Sequence, residues 1–286
     1  MEYSILDTQC LGGPYYKLTL KIPPNDPIPS PGQFYTIRCS DGTSPLLRRP
    51  LSVHRISEGK DSFELEILYQ AVGKGTQWLS GRKRGEGLDI IGPFGNGFIL
   101  DPAVSESVIV AGGIGIAPLY ALCDDLRTYN KDVNITIIWG VRNRTELFYE
   151  TQCGEVGSLF IATDDGSHGF HGTANELLAR MIKKNRVSVH APVYACGPTA
   201  MLRGLGVMSE TFDFACQVSL EEHMGCGFGA CLSCAIPLKP ESIQKNSRWP
   251  KQALQWSEDG NEVYSLVCKD GPVYDIREVN WDEWSK

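Results

Sequence analysis

Near its C-terminus the chain reads Cys226-Gly-Phe-Gly-Ala-Cys231-Leu-Ser-Cys234, and Cys268 follows at a distance. Four thiols in the pattern C-x4-C-x2-C…C have the ligand spacing of plant-type 2Fe–2S centres. Three thiolates converging from one tight loop need glycines, and Gly225, Gly227 and Gly229 let that loop wrap closely and aim backbone N–H groups at the sulfurs. Zinc is a competing reading, but tetrahedral four-cysteine zinc sites usually use two C-x2-C pairs, and this segment has one. Unrelated thiols are a third reading. Cys216 is an alternative ligand, but its apolar run, 212–218, suits a buried structural thiol better. The other cysteines (Cys10, Cys39, Cys123, Cys153 and Cys196) are scattered. In a reducing compartment a clustered set speaks for metal ligation or redox chemistry rather than disulfides.

A second chemical signal is the segment Val108-Ile-Val-Ala-Gly112-Gly113-Ile-Gly115-Ile-Ala-Pro118-Leu. It reads as strand, glycine turn and helix. Such a turn lets the backbone approach a pyrophosphate while the helix N-terminus offers N–H groups and a positive dipole. Pro118 fits a first helical turn. A plain tight turn would use the same glycines, but the flanking strand and helix favour dinucleotide binding.

These segments must be positioned by something, and 286 residues allow two or three domains. Residues 1 to about 98 read as short strands (16–22, 34–38, 63–69) between Pro/Gly-rich breaks, an antiparallel barrel or sandwich. From about Leu100 the rhythm alternates: strands at 107–111, 134–139, 160–163 and 193–196, helices at 117–129, around Leu147, at 174–184 and from Thr199. That pattern predicts a parallel α/β sheet. Beyond about Thr211 the glycines and clustered cysteines return. Residues 237–262, polar and with three prolines, are expected to form an exposed loop. Net charge −7 argues against nucleic acid, which wants a basic face. The expected location is cytoplasmic, because no apolar run approaches the length of a membrane helix and MEYSILDTQC lacks the pattern of a signal peptide. The five histidines (His54, His168, His171, His190 and His223) are scattered and expected to be polar surface or loop residues. No Ser/His/Asp or Cys/His nucleophile constellation stands out.

The form G-G-I-G-I-A-P departs from G-x-G-x-x-G and resembles the ferredoxin–NAD(P) reductase superfamily. Ile138–Phe148 resembles its next strand and loop. Tyr194-Ala-Cys196-Gly197-Pro198 resembles its nicotinamide-proximal motif, which makes Cys196 the candidate catalytic residue; a small buried thiol is the alternative. Thr163-Asp164-Asp165-Gly-Ser falls where the superfamily contacts the adenosine ribose. Asp164 and Asp165 would accept from a 2′-hydroxyl and repel a 2′-phosphate, favouring NAD over NADP, although Asp-Gly is also a good turn. Arg48-Arg49-Pro50-Leu51-Ser52 resembles the flavin motif: an Arg to clamp pyrophosphate, a Ser to bond the flavin ring. By itself Arg-Arg-Pro is also a common surface turn. The resemblance also implies that Leu68-Tyr69-Gln70 and Gly75-Thr76 approach FAD, and it makes Pro31-Gly-Gln-Phe34 and Gly92-Pro-Phe-Gly95 landmarks of the barrel.

With Ser219–Cys234 and Val267–Tyr274 added, nearly the whole chain is similar to one family, the electron-transfer subunits of NAD-dependent (type B) dihydroorotate dehydrogenases. The fold this implies is β plus α/β. It comprises an antiparallel β-barrel for FAD over 1–99, a doubly wound parallel α/β domain for NAD over 100–212, and a small 2Fe–2S domain over 213–286. The implied function is electron transfer from a separate FMN-containing dihydroorotate dehydrogenase subunit, in a heterotetramer, through 2Fe–2S and FAD to NAD+ in pyrimidine biosynthesis. FAD belongs in the middle because it exchanges both one electron and two. NADPH–ferredoxin transhydrogenase-type flavin subunits share the layout and provide the alternative, an NAD(P)H–ferredoxin oxidoreductase. Their cluster loops start with Asp where Cys226 stands, which favours the first family. A zinc-bearing binding module is a third possibility. The 237–262 stretch is longer than that family leads one to expect and leaves room for a different partner surface.

Overall fold

In the strand Phe63–Gln70, Leu65 and Ile67 are fully buried while Glu64 and Glu66, alternating with them, are only half-buried, the period-two pattern of a sheet with one dry face. The computed structural model describes residues 2–59, 62–245, 254–257 and 260–284. Its first sheet contains β1 (Glu2–Gly12), β2 (Tyr15–Lys21), β3 (Phe34–Ile37), β4 (Arg49–Ser52), β5 (Arg55–Glu58), β6 (Phe63–Gln70) and β7 (Gly87–Phe94). The order is β4-β3-β7-β1-β2-β6-β5, with antiparallel neighbours throughout. The sheet is barrel-like but not closed, since β4 and β5 are its two ends. Tyr3, Leu18, Leu20, Ile37, Ile67 and Ile90 fill its interior. One short helix, α1 (Lys74–Ser80), interrupts the strands; its sequence gave no helical signal.

The second sheet is built on β8 (Glu106–Gly112), β9 (Asn134–Val141), β10 (Ser158–Thr163), β11 (Phe170–His171), β12 (Val193–Cys196) and β13 (Cys216–Ser219), all parallel. The helices α2 (Ile116–Tyr129), α3 (Glu150–Val156), α4 (Ala174–Lys183) and α5 (Thr199–Phe212) connect them. Both faces of β8 are dry: Val108 and Val110 share a core with α4 and α5, while Ile109 and Ala111 share one with α2. That is why these strands are apolar throughout rather than alternating. The remaining elements are β14 (Ala235–Leu238), α6 (Pro240–Lys245), β15 (Gln255–Trp256), β16 (Val263–Leu266) and β17 (Val273–Asp275). Strands β14, β16 and β15 make a small antiparallel sheet, whereas β17 pairs antiparallel with β13 at the edge of the second sheet. That second sheet therefore draws strands from both sides of residue 212.

The polar stretch 237–262 is not an exposed loop where the structure describes it. Pro237 sits in β14, an edge strand of the small sheet, where a proline is tolerated; on its outer side the Pro237 carbonyl accepts from Asn280 N–H at 3.0 Å and Leu238 bridges to Val279. Pro240 opens α6, a position that needs no N–H. Ile243 and Leu254 are buried. Residues 246–253, 258 and 259 lie outside the described residues.

His54 also overturns its expectation, for it is fully buried where β4 meets α2. Its Nδ1–H donates to the Ala117 carbonyl at 2.9 Å, Tyr120 and Tyr149 pack on the ring, and Nε2 has no hydrogen-bond partner. Burial pushes its pKa down from 6.5 to about 4. The folded chain thus refuses a proton that the unfolded chain accepts near pH 6.5. Stability is expected to be complete above that value and to fall on acidification toward pH 4, by up to about 1.4 kcal/mol per pH unit. In His54→Gln that share of the slope should vanish. Urea midpoints of both proteins at pH 5 and pH 7 check this, and equal slopes would refute it.

Candidate functional site

The strand order reverses direction between β8 and β12, and at such a switch point the loops leaving the two strands part to form a crevice. A cavity of about 680 Å³ occupies it, lined among others by Gly113, Gly197, Pro198 and Thr199. The helices that begin there, α2 and α5, have 14 residues each and no side-chain cap. At α5 the first N–H groups therefore remain available to an anion, and the dipole adds to the effect; α2 follows a 3-10 turn, Gly113–Gly115, and its Ile116 N–H already donates to the Ile114 carbonyl. Asn175 Oδ1, on the same wall, is buried with no hydrogen-bond partner among the described residues. A phosphate-bearing ligand with further donors fits this set.

The glycines divide the labour. A Cβ on Gly115 would lie 2.2 Å from the Cys196 carbonyl oxygen, and one on Gly112 would lie 2.6 Å from Pro198 Cδ. These two residues let the turns after β8 and β12 touch. Gly113 has open space beside it, and its carbonyl accepts from Trp139 Nε1 at 2.9 Å. Cys196 is almost fully buried at the end of β12. Burial holds its thiol protonated, with the Glu221 charge adding to the effect and the Ser219 hydroxyl opposing it. A buried neutral thiol next to the lining residue Gly197 is no nucleophile. Asp164 lines the cavity, whereas Asp165 is turned to its own loop, accepting from Ser167 N–H at 2.9 Å. The Ser167 hydroxyl first, and that N–H second, hold its carboxyl below the usual range.

The flavin candidates are dispersed more widely. Arg48 is taken up by Asp89 at 2.6 Å. Arg49 donates to the Leu47 carbonyl at 2.8 Å, and among the described residues no carboxylate pairs with it. A Cβ at Gly75 would lie 2.9 Å from Arg49 Nε, so the start of α1 lies directly against this cation. A guanidinium without a counter-ion fits a diphosphate. Pro50, Leu51 and Ser52 continue β4, all half-buried. Of the β6 residues, Leu68 enters the core shared with α2, Tyr69 points into the barrel core, and Gln70 lines the dinucleotide cavity. The Thr76 hydroxyl is occupied in capping α1, accepting from Gly73 N–H at 3.2 Å.

The four C-terminal cysteines come together. Cys234 Sγ lies 3.2 Å from Cys268 Sγ, and Cys226 N–H donates to Cys231 Sγ at 3.4 Å. Gly229 N–H donates to Cys268 Sγ at 3.1 Å, and Ala230 N–H to Cys226 Sγ at 3.2 Å. Gly229 has φ +90°, a conformation open to glycine but costly for other residues. The Ser233 hydroxyl lies 3.1 Å from Cys231 Sγ and is the main reason that thiol is pulled down to about 6. Contact with Cys268 pulls Cys234 down to about 7 and pushes Cys268 up, so one proton of that pair leaves easily and the second with difficulty. Among the described residues no three His, Cys, Asp or Glu side chains surround one point as a single ion requires. Two thiol pairs, fed by backbone N–H groups, suit a centre with two metal atoms. His223 supplies its carbonyl to Ser233, and its ring has no hydrogen bond among the described residues.

The loop that carries these thiols rests on the barrel. A Cβ at Gly227 would lie 2.9 Å from Thr36, and Thr36 on β3 is the register partner of Pro50 on β4. The Cys268 segment is sewn down by Asn96, whose side-chain amide donates to the carbonyls of Lys269 and Asp270 at 3.2 and 2.8 Å. Thr36, Asn96, Ser233 and Glu221 were not anticipated, nor was Trp284, which lines the cavity and donates from Nε1 to Glu222 at 2.7 Å. Only Ser233, inside the motif, carried a local signal.

Comparison with known proteins agrees with this arrangement. The family described as "Oxidoreductase NAD-binding domain" matches residues 109–206, and "Iron-sulfur cluster binding domain of dihydroorotate dehydrogenase B" matches residues 221–248. The dihydroorotate dehydrogenase B (NAD(+)) electron transfer subunit of Desulforamulus reducens is 37% identical over 253 residues, covering 88% of this chain and 87% of its own length. That of Bacillus cereus is 37% identical over 267 residues, 92% of each chain. A solved structure of an NADH-dependent reduced ferredoxin–NADP oxidoreductase superposes with TM-score 0.77 at 25% identity, over 98% of this chain and 90% of the other. A ferredoxin–NADP+ reductase from Neisseria gonorrhoeae, with bound FAD and NADP, shares the fold with TM-score 0.62 at 16% identity, over 74% and 91%. Among the described residues no helix is long and apolar enough to cross a membrane. With more than a third of its residues identical to these relatives over nearly the full length of both chains, the protein belongs to the family of dihydroorotate dehydrogenase B (NAD(+)) electron transfer subunits.

Proposed function

We propose that the chain carries electrons from a separate dihydroorotate-oxidising subunit to NAD+, an oxidoreductase function that uses FAD, a 2Fe–2S cluster and NAD. The observation that carries this reading is one of continuity. The chain leaving β13 passes the edge of the cavity at Glu221 and enters the cysteine loop, and that loop lies on β3 beside the candidate flavin strand β4. Cys226, Cys231, Cys234 and Cys268 would hold the cluster. Arg49, Ser52 and the start of α1 would hold FAD, and the loops after β8 and β12, with Asp164, would hold NAD. When bound, FAD supplies the exchange between single electrons and a hydride. The residues of this chain orient the groups, exclude water and keep the Cys196 thiol neutral beside the place of hydride transfer. The partner is an FMN-containing catalytic subunit, the assembly a heterotetramer and the location cytoplasmic.

The test is reconstitution. Co-expressed with an FMN-containing dihydroorotate dehydrogenase subunit from the same cell, the pair should reduce NAD+ with dihydroorotate at a rate at least about a hundredfold above either chain alone, the scale of a completed rather than an uncatalysed path. An isolated chain that reduces ferredoxin with NADH as fast as any complex would instead support the ferredoxin oxidoreductase reading, which the 25%-identical structural relative makes the natural second choice.

A further inference from the structure

The wall of the dinucleotide cavity carries three carboxylates, Glu146, Asp164 and Glu221, and among its described residues one cation, Arg142. That cation is already engaged. Glu146 Oε1 accepts from Arg142 Nε at 2.7 Å, Glu146 Oε2 accepts from the Arg142 backbone N–H at 3.3 Å, and a second guanidinium nitrogen also reaches the carboxylate. The turn that presents Glu146 is itself pinned. Phe148 N–H donates to the Glu146 carbonyl, and the Phe148 ring stacks on Tyr15 of the barrel with centroids 3.8 Å apart. Glu146 is mostly covered while Arg142 is mostly exposed. The fixed member is therefore the carboxylate, and the movable member is the guanidinium. Asp164 sits beside them, its N–H bonded to the Val141 carbonyl and that of Asp165 to the Arg142 carbonyl.

We propose that Glu146 makes this cavity select a dinucleotide with a free ribose 2′-hydroxyl, by occupying Arg142 and thereby removing the cation that a 2′-phosphate would need. The inference rests on the reading that the cavity takes NAD(H). A phosphate monoester carries roughly −1.5 to −2 charge. Here it would meet two carboxylates and a guanidinium whose fork is already spent on one of them. A hydroxyl only needs an acceptor, which Asp164 offers. Selectivity then arises from repulsion built against the wrong ligand as much as from attraction to the right one.

The experiment uses the holo-protein, with 2′,5′-ADP and 5′-AMP as probes and affinities read by titration calorimetry. In Glu146→Gln the new amide can still accept from the Arg142 N–H, but the guanidinium loses its counter-charge. The ratio of affinity for 2′,5′-ADP over 5′-AMP is expected to rise about tenfold. Adding Arg142→Ala to that variant should return the ratio to its original value. A ratio that stays put while both probes bind overturns the inference and leaves the cavity reading intact. So does a gain that survives removal of Arg142. Failure of the unaltered protein to bind 5′-AMP or NADH at all would overturn the cavity reading and the inference with it.

Discussion

Chain carrying Cys231→Ser is expected to lose its iron, from about two atoms and two acid-labile sulfides per chain to near none, without losing its fold. Cys231 is exposed, so an isosteric replacement neither empties a core site nor buries a new polar group. It does remove a ligand poised for metal: the Ser233 hydroxyl and the Cys226 N–H already favour the thiolate, and an alcohol in its place stays protonated at neutral pH. The remaining thiols, Cys226 and the Cys234–Cys268 pair, then cannot complete two pairs. The dinucleotide cavity and β4 use no atom of this side chain, so NADH should still reduce the bound flavin while transfer to or from the partner stops. Iron and sulfide analysis, the visible spectrum and stopped-flow reduction by NADH check this. Full iron content in the variant would refute the ligand assignment. Loss of flavin reduction in a folded variant would refute the separation of the two sites.

A comparably large effect is expected at Gly115. A methyl group there would lie 2.2 Å from the Cys196 oxygen, 2.5 Å from its carbonyl carbon and 2.8 Å from the Gly197 nitrogen. All three are backbone atoms, so no rotamer can relieve the overlap and the turns after β8 and β12 must separate. Overpacking of this kind costs about 1–3 kcal/mol. Because the same two turns frame the cavity, Gly115→Ala should also weaken NADH binding by at least about tenfold, each tenfold being about 1.4 kcal/mol. Urea unfolding and an NADH titration measure the two effects. A variant of unchanged stability and unchanged affinity would mean that the turns do not meet as described.

The cysteine spacing, the strand–glycine–helix segment and the apolar runs of β8, β9 and β12 were legible because each is a local pattern: ligand spacing within one loop, or side-chain period within one element. They were enough to indicate the three-part fold; the family came from the resemblance of the motifs to those of known proteins. The same local rules failed where burial was decided from elsewhere. His54 looks like a loop histidine until α2 is laid over it. The prolines of 237–245 look like a loop until one is seen on the edge of a small sheet and another at the start of a helix. The pleat of β6 sends Leu68 and Tyr69 into two different cores, a division that depends on what packs on each face of the strand.

By itself, then, the order of residues determined the cysteine spacing, the glycine turns and the segments that carry them, since those depend on neighbours a few bonds apart. Only the tertiary structure decided that Asp164 faces the cavity while Asp165 caps its own turn, that Asp89 pairs with Arg48 while no carboxylate among the described residues pairs with Arg49, and that Glu146 holds Arg142. It also laid the cysteine loop on β3. Each of these is a matter of which side chain a strand end or turn points toward, and that is set by packing between elements far apart in the chain.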